Sequence, residues 1–272
     1  MEGSMVRRYL KLYFLLAGAY VRSRLQYRLS FGFMCFGILI SEFCLLALLG
    51  ALLAKFRTVN GWTWAEVIFL YGLGNLAYSF MRILGSQLDD FDRYIVRGEL
   101  DSVLIKPVPP LFYILANRVE LIHVSRALTS VAIFVVAFHL SGIRWTVDVA
   151  LFTLTTILSG TLIMFTLMLI SATVALWTTK SGKLTDLLIS ATKEATVFPI
   201  SIYPLAVRLL LTFVLPVAFV TYYPAQQLLQ KGDFLGMPEL FQFGAPVVAL
   251  VMLCVSYLFW CSGLRRYHST GS

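Results

Sequence analysis

Residues 31–54 read FGFMCFGILISEFCLLALLGALLA and carry a single charged side chain, that of Glu42. About 20 apolar residues in a helix are enough to cross the hydrocarbon core of a bilayer. Five further stretches have the same character, and the six predicted spans are residues 31–54, 64–84, 127–143, 149–179, 205–223 and 244–263. The sequence therefore predicts an all-α integral membrane protein in which residues 1–272 form one transmembrane domain.

Positive charge lies almost wholly on one side of these predicted spans. With a cytoplasmic N-terminus, 18 of the 22 Lys and Arg residues fall in cytoplasmic segments or at the cytoplasmic ends of spans. The remaining four are Lys55, Arg57, Arg144 and Lys231. Cytoplasmic loops carry such an excess of Lys and Arg. The sequence thus predicts six crossings with both termini in the cytoplasm.

The net charge of +8 does not point to nucleic acid. The basic residues lie beside the predicted spans, where anionic lipid headgroups attract them. Membrane lipids are therefore expected partners, and nucleic acid is not.

The sequence offers little for catalysis. It contains no G-x-x-x-x-G-K-[ST] stretch, the phosphate-binding loop of many ATPases. Its four cysteines lack metal-type spacing, and its three histidines are scattered. We expect that the chain is not an enzyme, holds no cofactor or metal, and leaves any ATP to another subunit.

Two cytoplasmic segments have helical apolar spacing. Residues 5–28 repeat apolar residues at close to 3.6-residue intervals, which predicts an amphipathic helix in the membrane interface. Such a helix can be a plain anchor or can dock a partner. Residues 85–110 predict a helix that ends at Gly98, followed by a second short helix that stops at Pro107. This compact pair would suit a groove on a partner protein, although a solvated loop has the same pattern.

Prolines shape the last third of the chain. Residues 180–204 predict a mostly helical approach that breaks at Pro199 and Pro204, and Pro216 predicts a kink within the span 205–223. Residues 224–243 predict an external hairpin. It can dip into the membrane only where protein covers its backbone.

Three polar side chains near the predicted spans are candidates for the substrate path or for joining helices. Glu42 lies at the middle of the first span, where an unpaired carboxylate costs on the order of 2.5 to 3.5 kcal/mol, so it should face protein or water. Asn75 on the second span is a weaker case of the same kind. Arg208 is expected near the inner end of the fifth span, where its side chain can reach the headgroups.

Several short segments resemble a known family. They are Gly61-Trp62 and Ala65-Glu66, Arg97-Gly98-Glu99-Leu100-Asp101 followed by Leu104-Ile105-Lys106-Pro107, and Phe198-Pro199-Ile200-Ser201-Ile202-Tyr203-Pro204 leading to Leu215-Pro216-Val217-Ala218-Phe219 and Tyr223-Pro224-Ala225. In this order they resemble the membrane (permease) subunits of type-two ATP-binding-cassette (ABC) exporters, especially a branch of uncharacterised bacterial permeases of similar length.

The resemblance implies a subunit of the bacterial cytoplasmic (inner) membrane. It would form a translocation path with a second permease, identical or related, and would be bound to separate ABC ATPase subunits that hold ATP and Mg²⁺. Residues 5–28 would be the connecting helix along the membrane surface, and residues 85–110 the coupling segment seated in an ATPase groove. The ATPase-coupling residues would be Gln87, Leu88, Asp89, Asp90, Phe91, Asp92, Arg93, Arg97, Gly98, Glu99, Leu100, Asp101 and Lys106.

Two other functions remain open from the sequence. An ion-coupled secondary transporter could use Glu42 to carry a proton, although such folds show inverted repeats that this chain does not clearly display. A membrane enzyme acting on lipids would need clustered polar residues at a membrane face. Only Asp89, Asp90 and Asp92 cluster, and a docking surface explains them better.

Overall fold

The computed structural model describes residues 28–56, 58–117, 120–178, 181–232 and 238–267. The α-helices are α1 (Arg28–Phe56), α2 (Trp64–Gly85), α3 (Phe91–Val96), α4 (Glu99–Leu104), α5 (Pro110–Asn117), α6 (Leu121–Leu140), α7 (Val147–Thr173), α8 (Ala175–Thr178), α9 (Gly182–Ala195), α10 (Leu205–Leu209), α11 (Tyr222–Leu228) and α12 (Ala245–Arg266). Short 3-10 turns occur at Ser86–Leu88, Ile200–Ile202, Val217–Phe219 and Glu239–Phe243, and a π-turn at Leu210–Val214. Apart from Arg28, the predicted interfacial helix at 5–28 lies outside the described residues.

The architecture is that of an all-α membrane protein. Among the described residues, five helices are long and apolar enough to cross a membrane, and a bent pair of helical segments, Leu205–Val214 and Val217–Leu229, is a sixth candidate. The long helices α1, α2, α6, α7 and α12 correspond to five of the six predicted spans. The predicted fold class is confirmed to this extent.

Helix α2 lies at the centre of the bundle. It packs against both α6 and α7, and α7 packs in turn against α12 and α9. Small residues let the backbones approach closely, as is common between membrane helices. A Cβ atom placed at Gly72 would lie 3.1 Å from the Cα of Phe134 on α6. One placed at Gly74 would lie 2.6 Å from Oγ1 of Thr196, just after α9.

One end of the bundle, which we call the strand end, carries a two-stranded antiparallel hairpin of β1 (Thr58–Val59) and β2 (Trp62–Thr63). Its turn residues Asn60 and Gly61 have φ of 48° and 81°, as the Asn-Gly turn of a tight hairpin requires. Helix α2 starts directly afterwards with a capping box, in which the Thr63 N–H donates to the Glu66 carboxylate at 2.7 Å. The connection between α6 and α7, residues 141–146, lies at this same end.

The opposite end, which we call the short-helix end, carries α3, α4 and α5. Gly98 separates α3 from α4 with φ of 65°, a left-handed conformation that favours glycine. Phe91 on α3 packs against Trp260 near the end of α12, with ring centroids 5.2 Å apart. Two short helices therefore meet at Gly98 and pack onto the bundle, and the first of them, Phe91–Val96, is shorter than the predicted helix.

Residues 182–201 run from one end of the bundle to the other. At the start of α9, the Gly182 N–H donates to the Asp92 carboxylate at 3.3 Å, at the short-helix end. Thr196 lies against Gly74 at the middle of α2. The Ser201 carbonyl then accepts from the Asn60 side chain at 2.9 Å, at the strand end. This segment was predicted only as an approach to the fifth span, and it contains the 14-residue helix α9.

The stretch 205–223, predicted as one span, is not a single helix. It bends by 75° at a break next to Pro216, so the predicted kink is present. Val220 lies against Gly160 at the middle of α7, and Lys231 then binds Glu66 at 2.7 Å at the strand end. The chain thus leaves the strand end after Ser201, reaches the middle of the bundle and returns. Hydropathy alone does not separate such a hairpin from a crossing helix.

The close approach at Gly74 can be tested. Gly74→Ala places a methyl group against Thr196 and Thr221, so we expect the variant to lose about 1–3 kcal/mol of stability through overpacking. Thermal unfolding of the purified protein in detergent measures this. Gly32→Ala is the matched control, because a Cβ at Gly32 meets nothing within 4 Å and alanine favours a helix. Equal loss in both variants would contradict the packing described.

Candidate functional site

Glu42 joins α1 to α2. Its side chain is only 4% exposed, and its Oε2 accepts hydrogen bonds from the Tyr71 hydroxyl and from Nδ2 of Asn75, the latter at 2.9 Å. Tyr71 and Asn75 are four residues apart and therefore share one face of α2. The structure thus brings together two of the three predicted polar residues, Glu42 and Asn75, in a buried contact between helices.

A second polar contact lies one turn further along α2. Nζ of Lys193 on α9 lies 5.2 Å from the centre of the Tyr78 ring, and Cζ of Arg126 on α6 lies 5.8 Å from it. Both distances are in the range of cation–π attraction. The Glu42 carboxylate also attracts Lys193 electrostatically. We call Glu42, Tyr71, Asn75, Tyr78 and Lys193 the interior polar cluster.

Sequence reasoning placed Lys193 in a cytoplasmic loop and missed its position inside the bundle. The available signal was the spacing of Thr185, Ile189 and Thr192, which are buried on one face of α9. Threonine at these positions weakens the hydropathy that marks a span. The helical period alone could have identified a helix packed against the bundle.

Arg208 has a different place and role from those predicted. Its Nε donates to the Tyr203 carbonyl at 2.5 Å, and its terminal NH₂ group to the Ser201 carbonyl at 2.6 Å. Both carbonyls belong to the break before α10. Arg208 therefore lies at the strand end, where it satisfies backbone groups that an interrupted helix leaves open.

The exposed side of α9 carries polar residues at regular spacing. Asp186, Ser190 and Glu194 are all exposed and follow one another at intervals of four residues, so they share one face. We call these three residues the α9 polar face. It runs from the short-helix end to the level of Thr196, at the middle of the bundle. No sequence feature had marked it, because residues 180–204 were predicted to be a cytoplasmic connection.

Several predicted coupling residues point into the protein. Gln87, Leu88, Phe91 and Leu100 are buried. Leu88 and Phe91 belong to the apolar face that the helical spacing predicts, and this face therefore packs on the chain's own bundle. This leaves the rest of the segment for any contact with a partner.

The three aspartates of this segment do not form one uniform charged face. Asp89 pairs with Arg82 of α2 at 2.6 Å, and Asp92 accepts from the Gly182 backbone of α9. Only Asp90 pairs locally, with Arg93 at 3.2 Å between half-exposed side chains. The expectation that all three serve docking is thus modified, because Asp89 and Asp92 connect the short helices to α2 and α9.

The outward surface of the short-helix end is partly apolar. Ile105 is 85% exposed, and Val96 and Leu104 are also exposed. Arg97 and Glu99 lie between them and face each other at 3.8 Å. We call Val96, Arg97, Glu99, Leu104 and Ile105 the docking surface. Two further predicted residues have contacts within the chain: the Lys106 ammonium lies over the Tyr113 ring at 3.7 Å, and the Asp101 carboxylate lies near Tyr267.

These sites contain no recognisable catalytic arrangement. Within the described ranges, no group of three or more His, Cys, Asp or Glu side chains could hold a metal ion. The arrangement can instead transmit movement, because the short helices at one end are bonded to α2 and α9.

Comparison with known protein families identifies the chain. Residues 38–271 match the family model described as ABC-2 family transporter protein. Neither the comparison with curated proteins nor that with solved structures gives a match. The match covers most of the chain, from the middle of α1 to beyond α12. The chain therefore belongs to the ABC-2 transporter family, as a multi-pass membrane permease component that is not itself the nucleotide-binding subunit.

Proposed function

We propose that this permease is the transport subunit of an ATP-driven exporter in the bacterial cytoplasmic membrane. It forms a translocation path with a second permease, identical or related. Separate ABC ATPase subunits, with which the family implies partnership, bind ATP and Mg²⁺ and drive the movement. No covalent chemistry takes place in this chain.

The α9 polar face is the observation that carries the proposal. Glu194 is exposed at the middle of the bundle. A carboxylate facing lipid at that depth would cost on the order of 2.5 to 3.5 kcal/mol. Water or a second subunit must therefore cover this face. A path between two permeases supplies both, and it places Ser190 and Glu194 along the route of the substrate.

We propose the following topology. The crossings are α1, α2, α6, α7, residues 182–201 and α12, with both termini and the short-helix end in the cytoplasm. Residues 205–229 enter from the external side and return to it. Support comes from burial, since residues 216–226 are all buried, and backbone of this irregular kind occurs at membrane depth only where protein covers it.

Coupling follows from the bonds of α3. Asp89 beside α3 is paired with Arg82 of α2, and Asp92 within α3 is bonded to Gly182 of α9. An ATPase that moves the docking surface would therefore move a central helix and a path-lining helix together. The helices then rock between inward and outward access.

The docking surface can be tested by the double substitution Val96→Asp and Ile105→Asp. Two carboxylates in a desolvated contact should reduce capture of the ABC ATPase by at least roughly tenfold, because apolar anchors dominate such interfaces. The measurement is the amount of ATPase retained per permease in mild detergent, together with permease-dependent ATP hydrolysis.

The matched control for this experiment is Val147→Asp. Val147 is an exposed valine in the first turn of α7 at the strand end, where an acidic residue suits a helix start. The control should retain the ATPase. Normal capture by the double variant would overturn the docking assignment.

The alternative of an ion-coupled secondary transporter requires Glu42 to exchange protons along a path. Its enclosure by Tyr71 and Asn75 argues against this, because little of its carboxyl is open to water. We propose that Glu42 joins helices.

Substitutions at Glu42 separate the two roles. Glu42→Gln keeps an oxygen that accepts from Tyr71, so we expect normal assembly and near-normal transport. Glu42→Leu leaves Tyr71 and Asn75 without an acceptor, and we expect it to lose about 1–3 kcal/mol of stability in thermal unfolding. A well-assembled Glu42→Gln complex that has lost transport would instead place Glu42 on the path.

A further inference from the structure

A polar cleft of about 440 Å³ opens at the short-helix end, beside the docking surface. Its walls come from the 3-10 turn after α2, from α3 and α4, and from the starts of α6 and α9. The acidic residues that line it are Asp89, Asp90, Glu99, Glu120 and Asp186. Only Arg93 and Arg97 among its lining residues are basic. The cleft is therefore acidic in a chain whose net charge is +8.

Most of these carboxylates already have partners. Asp90 pairs with Arg93, Glu99 with Arg97, and Asp89 with Arg82 from outside the cleft. Asp186 differs, since it is exposed near the start of α9 and makes no ion pair with any residue in the described part of the chain. It lies close enough to Asp89 for the two carboxylates to repel each other. A cation placed between them would relieve that repulsion.

Gln87 supplies an independent sign that the cleft takes a ligand. Its side chain is only 6% exposed, yet neither Oε1 nor Nε2 has a hydrogen-bond partner. A buried polar group without a partner costs about 1–3 kcal/mol. Gln87 lines the cleft, so its unpartnered amide lies in the cleft wall.

We propose that this cleft receives an arginine side chain of the ABC ATPase that docks on α3 and α4. This inference rests on the proposed function and names the chemistry of the partner. A guanidinium group carries five donors in a planar fork. It can therefore donate to the Asp186 carboxylate and, when the Gln87 side chain turns into the cleft, to Oε1 of Gln87 as well.

A metal ion is a poorer occupant. The cleft's acidic side chains do not approach each other as a ligand set, since no such group exists among the residues described. A long side chain reaching in from a docked protein needs no such convergence. It also explains why the cleft lies directly beside the docking surface.

Two variants test the proposal, each in the full-length permease with its cognate ABC ATPase. Asp186→Asn should lower ATPase capture in mild detergent by roughly fivefold or more, and should make capture less dependent on salt, because one charge pair is lost. Gln87→Leu should also lower capture. The isolated Gln87→Leu permease should unfold at the same temperature as the wild type or higher, because an unpartnered buried amide is replaced by an apolar side chain. A merely structural role for Gln87 predicts the opposite change in unfolding temperature.

Asp148→Asn is the matched control, since Asp148 is an exposed aspartate in the first turn of α7 at the strand end. It should leave capture and its salt dependence unchanged. If Asp186→Asn and Gln87→Leu lower capture, a charge swap tests the pairing directly. Asp186→Arg should lose capture, and one Arg→Glu substitution on the ATPase should restore it.

The outcomes distinguish this inference from the proposed function. If Val96→Asp with Ile105→Asp abolishes capture while Asp186→Asn and Gln87→Leu capture like the wild type, docking stands and the arginine cleft is wrong. If the wild-type permease captures no ABC ATPase and stimulates no ATP hydrolysis, the proposed function and this inference both fall.

Discussion

A polar group inside a bilayer must find its partner within the protein or in trapped water, and this constraint organises the whole bundle. Glu42 satisfies it by accepting from Tyr71 and Asn75, which fastens α1 to the central helix. Arg208 satisfies it by binding the carbonyls of Ser201 and Tyr203, where the chain breaks before α10. In both cases a side chain that suggests a functional site in the sequence makes hydrogen bonds that the fold itself needs.

The same constraint explains what the sequence could and could not predict. Helices α2 and α12 follow their predicted spans closely, because their apolar character is unbroken. Helix α6 starts at Leu121 rather than Ala127, since Arg126 faces the Tyr78 ring inside the bundle and does not end the helix. The packing of residues 182–201 on the bundle was missed for the same reason, because Lys193 lies against the Tyr78 ring within the protein.

For the candidate sites as well, the sequence predicted some features and not others. The helix-turn-helix at 85–110 and its glycine were predictable from spacing, but the direction of its faces was not. An amphipathic period cannot say whether the apolar side packs on the chain itself or on a partner, and here Phe91 packs on Trp260. The α9 polar face was not recognised because the charged residues of α9 resemble those of a loop in the sequence. Contacts between distant segments, such as Asp92 with Gly182, have no signature in a single sequence.

The α9 polar face exposes polar side chains as far as the middle of the bundle, and the proposed path depends on it. The most direct measurement is thiol labelling of Ser190→Cys in the assembled complex, with Cys35, Cys44, Cys254 and Cys261 replaced. A charged, water-soluble reagent should modify this position, and ATP should change the rate. Leu158→Cys, exposed on α7 near the middle of the bundle, should stay unmodified because it faces lipid. Protection of Ser190→Cys from the reagent in every state would contradict the account.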